Sequence, residues 1–216
     1  MLDIYEQEDK EMELKVASYS VSTILNSAIF ASNELLNVAP IKLHYDKDTN
    51  IKKEIWVDRK KIEYILRNIL SNAYRHISYS GNVKVTTFLK NIDGKEYCCY
   101  QIQDDGKSMI EKPAVYLLSK EEGGNELTSQ LHVELGIILM KEYITAHHGE
   151  IRIEQNAETG SCVTVYIPTG KKHFEEDTNV VFIDPSTVKA EQEETHSIVT
   201  ANEKEQQLRE EQETMS

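Results

Sequence analysis

Apolar positions recur at three- and four-residue steps in three stretches of the chain and alternate in the stretches between. Val21, Ile24, Leu25, Ala28, Ile29, Leu35 and Leu36 give residues 18–36 the stripe of an amphipathic helix. Asp58 is a good N-cap for a second helix, which Ile62, Ile65, Leu66, Ile69, Leu70 and Ala73 carry to about residue 77. A third helix is expected at 134–147, on Leu135, Ile138, Leu139, Ile144 and Ala146, with Gly149 placed to stop it. Short strands are expected at 42–46 and 54–57, and a hairpin at 83–89 and 96–103 around Asn91-Ile92-Asp93-Gly94. A further strand pair follows at 150–155 and 161–167. Between Asp104 and Leu131 the periodicity is lost, and a long irregular stretch inside a compact domain is usually functional or mobile. Helices that are apolar on one side only imply a two-layer α/β (α+β) sandwich. Its helices pack on one face of a mixed, largely antiparallel sheet.

Charge divides the chain unevenly. Residues 175–216 hold twelve Asp/Glu against three Lys/Arg and so contribute −9 of the formal −13. The body is only mildly acidic, which argues against a nucleic-acid binder, since that needs a basic face to replace phosphate counterions. No apolar run approaches the roughly 20 residues that span a bilayer. Cys98, Cys99 and Cys162 have no metal-type spacing, and an odd set of thiols without a framework suggests a reducing, cytosolic setting.

Three clusters carry candidate chemistry. Asn68, Asn72 and Arg75 are spaced to project from one face of the second helix. Asn is a poor helix-interior residue because its amide competes with the backbone. Two of them aligned are either a solvated polar face or a site for a hard cation, with Arg75 meeting a phosphate. In Gln103-Asp104-Asp105-Gly106 a strand runs into a turn. This is a common turn signal; it is also a place where a carboxylate could accept a bond from an exocyclic amine, with Gly106 letting backbone approach a flat ring. Leu135-Gly136-Ile137 is expected to open the third helix, where free N–H groups would face an anion.

In order and combination these pieces resemble a known family. DRKKIEYILRNILSNAYRHI resembles the N-box of sensor histidine kinases within the GHKL ATPase superfamily. IQDDGKSMI is similar to their D-x-G-x-G box, and LGIILMKEYITAHHGEIRIEQNAETGSCVTVYIP to their closing helix, His-Gly-Gly turn and final hairpin. The resemblance implies a Bergerat-type fold with ATP held between the helix layer and a lid. Asn72 would be the Mg²⁺ ligand and Asn68 its neighbour at the phosphate end. Arg75 would contact phosphate, His76 would lie by the adenine, and Asp104 would hold the adenine amine above Gly106. Leu135 and Gly136 would lie under the phosphates. The reaction implied is γ-phosphoryl transfer to a histidine, driven by positioning and Mg²⁺ charge neutralisation. Gyrase-type and chaperone-type relatives usually place a Glu one helical turn before the Mg²⁺-binding Asn. Asn68 stands there, and an amide cannot act as that base.

Several positions depart from the family pattern. Ser108 replaces a glycine of the first box, and His132-Val133-Glu134-Leu135-Gly136 keeps one glycine of a G-x-G-x-G box. Glu134 placed about 5 Å from a phosphate would cost roughly 3 kcal/mol at an effective dielectric of about 20. The lid, Ser119–Gln130, is short, and a pseudo-catalytic module of the same fold is the alternative reading. None of the seven histidines has the His-Glu-x-x-x-Pro context of the phosphoacceptor. The resemblance therefore implies a piece of a longer, cytoplasmic and membrane-anchored sensor, monomeric or weakly dimeric by itself. The expected organisation is a dimerisation-helix end and linker at 1–17, the ATP-binding domain at 18–170, and an acidic linker at 171–216. That linker would lead towards a receiver domain, as in hybrid kinases, so the implied partners are a dimerisation domain and a receiver domain.

Overall fold

The computed structural model describes residues 12–36, 41–46, 53–76, 81–105, 129–156 and 160–184. Along the chain these form β1 (Leu14–Ser20), α1 (Val21–Leu36), β2 (Ile41–Asp46), β3 (Glu54–Val57), α2 (Arg59–His76), β4 (Gly81–Ile92) and β5 (Lys95–Asp104). They continue through α3 (Ser129–Ala146), β6 (Glu150–Asn156), β7 (Gly160–Pro168), a 3-10 turn at Lys172–Phe174, and β8 (Val180–Phe182).

Five strands lie in the order β2-β4-β5-β7-β6, antiparallel except for the parallel pair β2–β4. The β4–β5 hairpin closes through Asp93 and Gly94, both left-handed at φ 51° and 79°, as a two-residue turn matched to strand twist requires. Strand alternation turns Val83, Val85, Cys98, Tyr100, Ile102, Val165 and Ile167 to one side. There they join one core with Ile24, Leu25 and Ala28 of α1, Ile62 to Ala73 of α2, and Ile137, Met140 and Ile144 of α3. This is the expected sandwich, with helices on one face of a mixed, largely antiparallel sheet.

A second sheet, β3-β1-β8, is a finding that periodicity does not supply. The first helix begins at Val21 rather than residue 18, because Ala17–Ser20 pairs antiparallel with β3 and Ser20 becomes the cap of α1. Its Oγ accepts the Thr23 N–H at 3.1 Å. The positions 17/18 and 170/171, expected as domain edges, fall within folded structure. The first cuts through β1, and the stretch up to Asp184 is folded, since β8 pairs in parallel with β1. Ala17 and Tyr19 of β1 enter the main core, whereas Leu14 and Val16 meet Phe174, Trp56, Ala146 and Val180 on its opposite face.

Candidate functional site

Helix α2 carries the two amides, and its start is fixed by a network around Asp58. Asp58 Oδ1 accepts the Lys61 N–H at 3.3 Å, and Oδ2 accepts the Lys15 N–H of β1 at 3.0 Å. The Asp58 N–H donates to His147 Nε2 at 3.0 Å, and His147 Nδ1–H in turn donates to the Tyr143 carbonyl at 2.6 Å. Accepting at one nitrogen and donating at the other requires the neutral ring, and burial pushes the His147 imidazole down to about 4. Of the adjacent histidines His147 and His148, His147 is thus structural.

Asn68 is half-buried between α2 and α3. Its Nδ2 donates to the Tyr64 carbonyl one turn back at 2.9 Å, which commits the amine end to the helix. The Oδ1 end faces α3, where a Cβ on Gly136 would lie 3.0 Å from it. Tyr64 packs edge-on against Tyr143 at 5.3 Å, so the α2–α3 seam is set beside the amide. Asn72 is half-buried one turn later on the same face.

Gly136 requires a correction. The third helix begins at Ser129, not near residue 134, so Gly136 lies seven residues inside α3 and does not open it. Its N–H belongs to the helix ladder rather than to the free groups that receive an anion. The glycine instead lets α3 approach Asn68 closely. Helix α3 also ends otherwise than expected: His148, at φ 53°, is the left-handed residue, whereas Gly149 is required because a Cβ there would meet the Tyr166 carbonyl at 2.5 Å.

Asp104 ends β5 on the helix-facing side of the sheet, in alternation with Tyr100 and Ile102, and is 4% exposed. Its Oδ2 accepts from the Ser161 hydroxyl of β7. Asp105 turns the other way: it accepts the Asn82 N–H at 2.6 Å and the Asn82 side-chain amide at 2.5 Å, pinning the strand end to β4. Ser161 and its neighbour Gly160 are the residues that sequence reasoning missed. Gly160 has φ 85°, and a side chain there would collide with the Asp104 carbonyl. The only available signal was the glycine that opens β7, which does not show that β7 lies beside Asp104.

Arg75 and His76 close α2, and Leu135 lies in α3, but their side chains fall outside the described residues. Gly106, Ser108 and residues 119–128 of the expected lid lie outside them altogether. The structure thus brings Asn68 and Gly136 together at the α2–α3 seam, puts Asn72 on the same side of α2 as Asn68, and sets Asp104 on the face of the sheet that the helices cover. Among the described residues no group of three or more His, Cys, Asp or Glu could hold a metal. None of their helices is long and apolar enough to cross a membrane.

Residues 57–171 match the family described as histidine kinase-, DNA gyrase B-, and HSP90-like ATPase, and the chain belongs to that family. Several similar proteins are histidine kinases by name. The circadian input-output histidine kinase CikA of Synechococcus elongatus is 27% identical over 174 residues, covering 78% of this chain and 22% of the relative. The sensor protein EvgS of Escherichia coli K12 is 22% identical over 169 residues, 78% of this chain and 14% of its own. The chain therefore spans about a fifth or less of these relatives. Among solved structures, the catalytic domain of histidine kinase ThkA superposes with TM-score 0.57 at 19% identity, covering 72% of this chain and 96% of that one. Full-length ShkA in complex with AMPPNP gives TM-score 0.55 at 17% identity, over 74% of this chain and 33% of that one. Family and fold together define an ATPase-type domain of the histidine kinase-, DNA gyrase B-, and HSP90-like family, similar in sequence and fold to histidine kinases.

Proposed function

We propose that this domain binds Mg²⁺-ATP between the α2–α3 seam and the end of β5, and presents the γ-phosphate to a histidine on a dimerisation domain. The observation that carries the reading is the buried Asp104 carboxylate, set on the helix side of the sheet and oriented by Ser161. A carboxylate there would accept a bond from the adenine amine. Asn68, whose amine end is already committed to Tyr64, has its oxygen end for the cation, and Asn72 would be the direct ligand. Amide oxygens suit Mg²⁺ when phosphate and water complete its shell. The bound cation would supply charge neutralisation at the phosphates; Arg75, His76, Gly106, Leu135 and Gly136 complete the proposed site. Both partners, the dimerisation and receiver domains, would belong to a longer cytoplasmic assembly, consistent with relatives several times longer than this chain.

A second reading is favoured by one observation. Gly136 lies inside α3 instead of at its start, so the phosphates lose that set of free N–H groups. The same fold would then act as a signalling module with weak nucleotide binding. Calorimetric titration of Mg²⁺-ATP into wild type and Asp104→Asn tests the first reading. Loss of a charge-assisted bond is expected to cost about 1.5–3 kcal/mol, a tenfold or greater weakening. Equal affinity of the two proteins would contradict it.

A further inference from the structure

The family match ends at residue 171, yet the chain from Lys172 to Asp184 is built into the fold. It buries Phe174 to 1% exposure against Leu14, Val16, Trp56, Ala146 and Val180, then pairs β8 with β1. The Leu14 N–H donates to the Asn179 carbonyl, and the Ile183 N–H to the Val16 carbonyl, both at 2.9 Å. Lys15, next along β1, turns its N–H the other way, to Asp58. One strand therefore lies between this segment on one edge and the capping network of α2 on the other.

The segment is attached lightly for something so placed. Its strand has three residues, of which Val181 and Phe182 are 48% and 38% exposed; Phe174 is its one fully buried large side chain, with Ile183 only partly buried on the main core and Phe182 edge-on to Trp56. His148 adds a contact at a cost. Its left-handed backbone is unfavourable for a residue with a Cβ. Its ring meets only this segment among the interactions the structure gives: Asp177 Oδ2 at 2.7 Å, and the rings of His173 and Phe174 at 5.7 and 5.9 Å. Few buried contacts on exposed backbone bonds are the physical mark of a unit that opens before the global fold does.

We propose that Lys172–Asp184 is a releasable strap. Docked, it latches the incoming strand β1 and, through Lys15 and Asp58, steadies the start of α2. Displaced by a pull or a competing contact on the chain beyond Asp184, it frees β1 and loosens that helix start, while the five-stranded sheet stays folded. Because the claim concerns local opening, it stands or falls independently of nucleotide binding.

Native-state amide exchange on the full 216-residue chain tests it, with Phe174→Ala removing the anchor and Ile183→Pro removing the N–H that bonds Val16. Exchange at the Leu14, Lys15 and Asp58 amides is expected to quicken about tenfold or more, with Tyr100 and Val165 changing less than about twofold. Unchanged exchange at Leu14, Lys15 and Asp58 would overturn the strap. So would an equal increase in β5 and β7, since the segment would then be part of one cooperative core. Should Phe174→Ala fail to fold, Ile183→Pro decides by the same criteria.

Discussion

At the scale of single residues, Gly136 and Asn68 form a coupled pair in which helix stability and site geometry pull in opposite directions. A glycine inside a helix is about 1 kcal/mol worse than alanine. A methyl at position 136 would also press on Asn68 Oδ1, which must give by a few tenths of an ångström. Gly136→Ala is therefore expected to leave the melting temperature unchanged or raise it slightly while weakening Mg²⁺-ATP about threefold to tenfold. Thermal unfolding and titration on the same preparation check both halves. The spacing of Asn68 and Asn72 was legible because a helix repeats locally. Ser161 was not, since its meeting with Asp104 depends on β5 and β7 being neighbours, a pairing between residues far apart in sequence. Gly136 was misplaced for another reason: the first turns of α3 carry mainly polar residues, so the apolar stripe begins later than the helix.

At the scale of elements, α2 depends on a helix start assembled from three separate parts of the chain: Lys15, Asp58 and His147. Burial lowers the His147 imidazole from 6.5 to about 4, and His173 likewise to about 4. The unfolded chain thus binds protons that the folded chain refuses between those values. Stability is complete above about pH 6.5 and falls on acidification towards pH 4. For His147 alone the loss at pH 5 is about 2 kcal/mol. Urea unfolding at about pH 7.5 and pH 5 should show this difference, and His147→Gln should reduce it, leaving the share that His173 contributes. A pH-independent midpoint in wild type would contradict the buried neutral ring. Helix α2 was legible from its N-cap and stripe, both local. Strand β1 was not, because its buried positions change face between Val16 and Ala17, which breaks the two-residue alternation. Neither did β8 announce its place, as three apolar residues in an acidic tail do not say which edge they join.

At the scale of the whole molecule, the sandwich was readable because each layer shows its buried face in the sequence. The order of motifs indicated the family before any coordinate did. Sequence could not show how the end of the domain folds back on its beginning, since the segments involved lie outside the family's common region. The acidic charge concentrated after residue 174 begins in this folded-back segment and continues beyond it. What decides between a working kinase domain and a signalling module is whether the α2 amides and Asp104 hold Mg²⁺-ATP together. The direct measurement is thermal unfolding of wild type and Asn72→Ala, with and without Mg²⁺-ATP. At a hundred times the dissociation constant, ligand should add about 2.7 kcal/mol, or roughly 5–10 °C, to wild type. The shift should be largely lost in Asn72→Ala. No shift in wild type at millimolar nucleotide, or an equal shift in both, would contradict the nucleotide site proposed for this domain.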